Sequence, residues 1–259
     1  MISLLEAAKE YIHNFKGIRI STRPDCIDED ILHLLKSYSV TSIELGAQSM
    51  DDNVLLLNTR GHNSQSVRDA SHLIKSFGIS LGLQMMTGLY GSSDELDIYT
   101  AQEFIKLNPD TVRIYPTVLL QGTKLADLYS CGDYIPSTVE CAVSLCSQII
   151  PMFEDAGINV IRVGLHSSDT MEDSIIAGAY HPAFRELCES RIFLTNIIRY
   201  LEDNNISPGK VTIKVAPGAV SKATGQKKTN LTVLQDMGYT ARILEDRNLK
   251  DRQIIIEEG

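Results

Sequence analysis

The sequence predicts an α/β fold: an open, partial β/α barrel of parallel strands that lacks its first strands, followed by a small α+β unit. Short β-branched runs alternate with longer runs of helical period, which is typical of repeated βα units and a parallel sheet. The Ser-Pro-Gly break at residues 207–209 ends this pattern. We therefore expect a partial barrel over residues 1–204 and an appendage over residues 205–259.

The elements follow in chain order from their patterns. Apolar residues at helical spacing predict a first helix over residues 2–15, and Gly17 closes it before a strand at 18–22. Asp28 is placed to cap a helix over 28–38. Further strands are expected at 41–46, 80–86, 111–115 and 159–163, and further helices at 52–57, 64–77, 93–107 and 138–156.

The chain begins with a helix, and only five parallel strands follow. A closed barrel requires its first strand to pair with its last, so this order is unusual for a complete barrel. We expect the beginning of the barrel to be missing and the edge of the strand at 18–22 to be unpaired. Unpaired edges recruit partners, which predicts a homodimer through this edge or poor solubility. The alternative is a complete doubly wound sheet, but residues 21–25 do not form the Gly-rich turn that normally follows its first strand.

The appendage has its own order of elements. A long helix over residues 185–204 precedes it. It then predicts a strand at 210–215, helices at 217–224 and 229–236, and strands at 239–244 and 253–257. Five lysines precede its first acidic residue, Asp236. The sequence therefore predicts a local basic patch near the C-terminus.

Composition excludes several classes of protein. The 259 residues include 24 Lys and Arg against 33 Asp and Glu, a formal net charge of −9, and 43% are hydrophobic. These values are ordinary for globular proteins and exclude disorder for most of the chain. No apolar run approaches the roughly 18 residues that span a bilayer, and the N-terminus lacks a signal-peptide pattern. We expect a cytoplasmic protein with no membrane partner.

Cysteine and histidine usage does not predict a metal site. The five cysteines are scattered without a C-x-x-C pair, so neither a disulfide framework nor a zinc site is indicated. Their expected role is that of small buried side chains. His166 and His181 have no partner at metal-ligand spacing.

Polar side chains near the carboxyl ends of parallel strands are the first candidates for chemistry. Ser21, Gln48, Gln84 and Thr117 occupy such positions on four successive strands. Arg60 follows a short helix, where its guanidinium can reach back to a carboxylate or a ribose. The alternative for Arg60 and its neighbour is a helix C-cap with glycine in the left-handed conformation. Each residue by itself also fits a structural role, and their shared edge favours a site.

Five blocks of the chain resemble successive blocks of a radical S-adenosylmethionine (radical SAM) core. They are Ile20–Asp25, Ser42–Ser49, Thr59–His62, Leu83–Leu89, and Val112–Thr117 with Gly122 and Thr123. The pattern is most similar to the catalytic subunit family of the Elongator complex and its stand-alone bacterial relatives, and more distantly to oxygen-independent coproporphyrinogen III oxidases. The resemblance covers residues 1 to about 195 and implies an RNA-directed protein, with tRNA as the expected partner.

The resemblance also implies a cofactor site. In such enzymes a [4Fe-4S] cluster binds S-adenosylmethionine and cleaves it to a 5′-deoxyadenosyl radical. Ser21, Gln48, Arg60 and Gln84 match positions that line the S-adenosylmethionine site, with Arg60 pairing with its carboxylate. Thr117 is a further expected member. Catalytic residues cannot be assigned from this resemblance.

The chain departs from the family at the cluster. The three-cysteine motif is absent, as is the strand with Gly-Gly-Glu that follows it. Cys131, Cys141 and Cys146 are widely spaced and do not match cluster ligands. We expect an N-terminally shortened copy that does not bind the cluster and is inactive alone. Alternatives are a non-catalytic nucleoside- or RNA-binding module and a coproporphyrinogen III oxidase-like enzyme.

The appendage resembles a KH-type RNA-binding unit, in which the loop between two helices clamps backbone nucleotides. Here the loop is Gly225-Gln226-Lys227-Lys228, and Lys228 replaces the usual second glycine. The resemblance implies that Lys222, Gly225, Lys227 and Lys228 bind RNA. The alternative is a structural cap on the barrel, because short lysine-rich helices are common on protein surfaces.

Overall fold

The computed structural model describes residues 2–166 and 172–259, which form two compact units. The first unit comprises Met1–Ala142 and Ile149–Pro182, and the second comprises Val143–Gln148 and Ala183–Gly259. Across the described residues, no helix has the length and apolar character required to cross a membrane.

Five parallel strands form the centre of the first unit. They are β1 (Ile18–Thr22), β2 (Val40–Gln48), β3 (Ser80–Thr87), β4 (Thr111–Pro116) and β6 (Asn159–Val163). Their order is β1-β2-β3-β4-β6, so the sheet formed by the described residues is open, with β1 and β6 at its edges. The expected α/β fold with an open parallel sheet is confirmed, and each predicted strand lies within two residues of its observed position.

Helices connect these strands, and each of them except α6 is at a predicted position. They are α1 (Ile2–Lys9), α2 (Glu29–Ser37), α3 (Asp52–Leu57), α4 (Ser64–Ser76), α5 (Asp94–Leu107), α6 (Lys124–Cys131) and α7 (Val139–Asp155). Side-chain caps fix several starts: Asp28 accepts from the Ile31 amide at 2.8 Å, as predicted, and Asp51 accepts from the Val54 amide at 2.9 Å. The first helix ends earlier than expected, at Lys9, and a single 3-10 turn follows at Ile12–Asn14.

Two short strands and one helix were not predicted. Strand β5 (Val118–Leu120) pairs in antiparallel orientation with β7 (Ile175–Gly178), and α6 follows β5. Strands of three or four residues are too short to show an alternating pattern, so only a distant pairing partner defines them.

The five-stranded sheet has one apolar face and one polar face, because side chains alternate along each strand. Fully buried side chains on the apolar face come from neighbouring strands and include Ile43, Leu45, Leu81, Leu83, Val112 and Ile114. Contacts of α2, α4 and α5 with β2 and β3 show that helices cover this face. The polar face carries the candidate residues.

The second unit contains α8 (Phe184–Asp203), β8 (Lys210–Val215), α9 (Val220–Thr224), α10 (Thr229–Asp236), β9 (Thr240–Glu245) and β10 (Ile254–Glu258). Its sheet has the order β10-β8-β9, with β8 and β9 parallel. Helix α8 packs its apolar side against this sheet, where Phe193, Ile197 and Leu201 share a core with Ile213 and Leu234. Helix α8 therefore buries its apolar stripe within the second unit, and the expected domain boundary at 204 stays a prediction.

Candidate functional site

The polar face of the sheet is organised around one buried carboxylate. Glu44 on β2 is only 3% exposed. Arg19 on β1 donates to its Oε2 at 2.5 Å, and Arg113 Nε on β4 lies 2.8 Å from the same oxygen. Ser21 donates to Glu44 Oε1 at 3.3 Å. Gly82 lies beside this cluster, and a Cβ there would be only 3.0 Å from Thr111 Oγ1 and in ordinary contact, at 3.4 Å, with Arg19 Nη2.

A break in strand pairing directs Gln48 onto the same face. The register between β2 and β3 shifts between Leu45 and Gln48, and Gln48 adopts a φ of +68°. Such a bulge re-aims a side chain at the end of a strand. Gln48 is buried, and its Oε1 accepts a hydrogen bond from Gln84 Nε2 at 3.1 Å. Ser21 and the Gln48–Gln84 pair thus lie on adjoining strands near their carboxyl ends.

Arg60 lies in the loop after α3, where basic groups converge. It lines a cleft of about 560 Å³ with Thr59, Gly61 and His62. Arg60 Nε and His62 Nδ1 are both buried and have no hydrogen-bond partner. Burial, and next the charge of Arg23, lower the pKa of Arg60 from its usual value. His62 Nε2 lies 3.1 Å from the Ala47 carbonyl, which can only accept, so the ring proton is on Nε2 and Nδ1 is an acceptor. The Arg60 guanidinium is therefore the group in this loop that is suited to bind an oxygen of an anion.

The backbone of this loop also brings Arg23 close to Arg60. A Cβ on Gly61 would lie 3.2 Å from Arg23 Nη2, so glycine lets that guanidinium approach. Thr59, with a φ of +55°, is the first left-handed residue after α3, and Gly61 follows at +75°. A helix C-cap, the alternative role for this segment, therefore explains the left-handed backbone of the loop. It does not explain why the Nε of Arg60 is buried without a hydrogen-bond partner.

Thr117 is held within the fold. Its hydroxyl donates to the Thr87 carbonyl at 2.7 Å, and its amide donates to the same oxygen at 2.9 Å. These bonds join the end of β4 to the end of β3. A role for Thr117 in binding a cofactor stays a prediction.

The sequence did not single out the pairing of Glu44 with Arg19 and Arg113, although Glu44 was recognisable as a polar residue near a strand end. The sequence pattern that could have indicated this pairing is a charged residue at alternating positions of otherwise apolar strands. In the register of β3 and β4, Arg113 is directly opposite Gln84, so its side chain is on the polar face. Arginines on two strands and one acidic residue between them indicate an internal ion pair.

The loop that follows β3 is fixed by Asp97 on α5. The Gly88 amide donates to Asp97 Oδ2 at 2.8 Å, and the Ser92 hydroxyl donates to Oδ1 at 2.6 Å. Tyr134 in turn donates to the Gly88 carbonyl at 2.5 Å. Burial raises the pKa of Asp97 to about 6, against the opposing effect of its two hydrogen bonds.

This shifted pKa predicts a pH-dependent stability. The folded protein binds a proton at Asp97 more tightly than the unfolded chain, so the contribution of this group increases as the pH falls through 6. We expect wild type to gain about 1 kcal/mol of unfolding free energy relative to Asp97→Asn between pH 7 and pH 5. Urea unfolding of both proteins at the two pH values measures this difference. A constant difference would show that Asp97 does not titrate in this range.

The four predicted RNA-binding residues lie together in the second unit. Lys222, Gly225, Lys227 and Lys228 all line one cleft of about 400 Å³. Gly225 follows α9, and Lys227 and Lys228 end the 3-10 turn, Gln226–Lys228, that leads into α10. The structure therefore brings these residues to one place, as the loop-between-helices pattern predicts.

No group of three His, Cys, Asp or Glu side chains suited to a metal ion occurs among the described residues. Cys26, Cys131 and Cys141 are exposed, so the expectation that the cysteines are buried is wrong for these three and holds for Cys146 and Cys188. All five are free thiols. Three converging thiolates are required to hold a [4Fe-4S] cluster, and the described cysteines do not provide them.

Comparison with protein families identifies the first unit. Residues 1–101 match the Radical SAM superfamily, and residues 109–193 match the Radical_SAM C-terminal domain. The chain belongs to the radical SAM superfamily. Residues 194–259 lie outside both matched regions of this radical SAM protein.

Similar proteins of the radical SAM superfamily relate the chain to the Elongator type, as the sequence blocks predict. It is 33% identical over 190 residues to a tRNA uridine(34) acetyltransferase of Dehalococcoides mccartyi, covering 69% of this chain and 39% of that protein. It is 30% identical to Elongator complex protein 3 of Dictyostelium discoideum, covering 68% of this chain and 31% of that protein. The solved structure of archaeal Elp3 from Methanocaldococcus infernus, with an N-terminal deletion, is similar with a TM-score of 0.61 and 26% identity, over 74% of this chain and 42% of that one. The chain spans less than half the length of these relatives.

Proposed function

We propose that this chain is an Elongator-type radical SAM protein that binds S-adenosylmethionine at the carboxyl edge of its sheet and acts on RNA. The observation that carries the proposal is the buried, unpartnered Nε of Arg60 in the cleft after α3. A guanidinium binds the carboxylate of an amino acid with directed hydrogen bonds.

Other parts of the cofactor have partners on the polar face. The amides of Gln48 and Gln84 form a hydrogen-bonded pair whose remaining donors and acceptors suit the polar atoms of a nucleoside. The Ser21 hydroxyl donates to Glu44, and on this exposed residue its oxygen is able to accept a hydrogen bond from a ligand. When bound at a reduced iron-sulfur cluster, S-adenosylmethionine supplies a 5′-deoxyadenosyl radical that abstracts a hydrogen atom.

The cysteines of this chain do not fit a [4Fe-4S] cluster, and we assign no step of a reaction to one. Cys146 and Cys188 are buried in the second unit, and the remaining three are exposed and widely spaced in the sequence. This observation favours a second candidate function: a non-catalytic module that binds a nucleoside or RNA through the same residues.

RNA is the proposed substrate class because two relatives carry names that refer to tRNA uridine 34 or to Elongator. Cytoplasmic location, and dimerisation through the edge of β1, stay predictions. The barrel-type sheet and the Arg60 loop are common to both candidate functions, and the two differ only in radical chemistry.

Binding of S-adenosylmethionine to the full chain tests the first step of the proposal. Arg60→Ala is expected to weaken the affinity about tenfold, equivalent to roughly 1.4 kcal/mol, because a charge-assisted hydrogen bond is lost. Arg60→Lys is expected to recover only part of this loss, because lysine lacks the planar fork. Isothermal titration calorimetry with S-adenosylmethionine measures the change.

A matched arginine provides the control. Arg247 is exposed and lies in the second unit, so Arg247→Ala is expected to leave the affinity unchanged. Equal binding by wild type and Arg60→Ala, or absence of binding by wild type, would contradict the proposed cofactor site.

A further inference from the structure

The cleft in the second unit is not explained by similarity to the radical SAM superfamily. It lies between α8 and the segment from α9 to the start of α10. We call it the lysine cleft, lined by Ser190, Ser221, Lys222, Gly225, Lys227 and Lys228, with Glu186 among its further lining residues. Every lining residue belongs to the second unit, so the cleft is a feature of that unit alone.

The lysine cleft is basic within an acidic protein. Lys222, Lys227 and Lys228 face one lining carboxylate, that of Glu186. Residues 205–259 contain nine Lys and Arg against six Asp and Glu, a net charge of +3, whereas the whole chain carries −9. The difference in charge favours binding of a polyanion at the cleft, because the remaining, acidic part of the chain repels polyanions.

A buried carboxylate on α8, that of Glu189, is paired mainly with an arginine of the same unit. Arg252 donates to both oxygens of Glu189, with Nε 3.0 Å from Oε2 and Nη2 2.9 Å from Oε1. Burial opposes ionisation of Glu189, but the hydrogen bonds from Arg252 hold its pKa below the ordinary value. Lys222 also interacts with the Glu189 carboxylate, so Lys227 and Lys228 supply the charge that is available to a ligand.

The loop places its lysines at strained backbone positions. Lys227 and Lys228 adopt φ values of +54° and +65°, which glycine tolerates and other residues rarely adopt. Two consecutive lysines at such positions suggest that their charge is used there, because strained residues concentrate at functional sites.

Buried hydrogen bonds hold the walls of the lysine cleft in place. Asn230 on α10 is 3% exposed, and its Nδ2 donates to the carbonyls of Ser190 on α8 and Ala223 on α9, both at 2.9 Å. One side chain thus connects all three helices. The cleft is preorganised, so a ligand need not order it on binding.

We propose that the lysine cleft binds the phosphodiester backbone of single-stranded RNA, with its three lysines contacting phosphates. The loop lies between two helices, where a clamp on backbone nucleotides is a known mode of recognition. A cleft of about 400 Å³ is large enough for part of a single strand. The choice of RNA over other polyanions rests on the proposed function. The lysine cleft itself does not include Arg60.

Fluorescence anisotropy of the full chain with a labelled oligouridylate of about 12 nucleotides tests this site. Measurements at about 50 and 200 mM salt, without S-adenosylmethionine, give both affinity and salt dependence. The double variant Lys227→Gln with Lys228→Gln is expected to bind about tenfold more weakly at low salt. Its salt slope should fall by about 1.4, because two phosphate contacts are lost and single strands release roughly 0.7 counterion per contact.

A charge-matched control removes two lysines outside the cleft. Lys210 and Lys250 are exposed in the same unit, and Lys210→Gln with Lys250→Gln is expected to change affinity less than twofold. Lys228→Gly is a second test, since it removes strain together with charge and should raise the melting temperature while weakening RNA binding. Arg60→Ala should retain RNA binding, which separates this site from the proposed cofactor site.

Three outcomes would overturn the proposal. They are absence of salt-dependent RNA binding by wild type, equal loss of affinity in the cleft variant and its charge-matched control, and equally strong competition by polyaspartate, which would indicate an acidic polypeptide partner.

Discussion

Replacing Glu44 by alanine is expected to lower the free energy of unfolding by about 3 kcal/mol, because it leaves two guanidinium groups without their shared carboxylate. Arg19 and Arg113 both lie against Glu44 Oε2, and the arginine side chains are only 35% and 31% exposed. Their partial exposure allows some solvent screening, so the loss should stay below the upper range for fully buried pairs. Chemical denaturation at neutral pH measures the change.

Glu103 provides a matched comparison. Its carboxylate also bridges two cations, Arg68 at 2.6 Å and Lys106 at 2.5 Å, but the lysine side chain is 71% exposed. Glu103→Ala should therefore cost about 1 kcal/mol. Equal losses in the two variants would mean that burial of Glu44 on the polar face adds nothing to the strength of its pairing.

Replacing Gly225 by alanine is expected to lower the free energy of unfolding by about 3 kcal/mol and to distort the lysine cleft. Gly225 has a φ of +79° and a ψ of 156°, a conformation almost restricted to glycine. A Cβ there would lie 2.5 Å from Thr229 Oγ1 and 3.0 Å from the Asn230 amide nitrogen. Steric overlap therefore adds to backbone strain.

Gly218 separates these two causes. It also has a positive φ, +78°, but a Cβ there would meet no atom within 4 Å. Gly218→Ala should cost about 1 kcal/mol, from strain alone. Adding Thr229→Ala to the Gly225 variant should recover part of the steric cost. Thermal unfolding of the three variants tests the prediction, which is contradicted if the Gly225 and Gly218 variants are equally stable.

Local chemistry allowed the sequence to predict most elements. The strands of the first sheet were predictable because β-branched runs recur between helical runs, and the start of α2 was predictable because Asp28 caps it through a single turn. The expected helix at 217–224 begins three residues late, at Val220, since Gly218 holds a left-handed turn before it. This error is local and small.

The candidate site was predictable only in part. Positions near strand ends predicted Ser21, Gln48 and Gln84 as site residues. The hydrogen bond between Gln48 and Gln84 was not predictable, because it depends on how β2 pairs with β3. The ion pairs of Glu44 join residues far apart in sequence, which no local pattern encodes. Likewise, the unpartnered nitrogen of Arg60 is visible only once its surroundings are known.

The sequence by itself determined the alternation of strands and helices, the helix caps, the acidic body and the basic C-terminal segment, since each depends on neighbouring residues or on composition. The tertiary structure alone decided which apolar stripe packs on which sheet. Helix α8 belongs to the second unit, where Phe193 and Ile197 share a core with Ile213 of β8. Burial of apolar surface is non-directional, so only the complete set of contacts selects the partner.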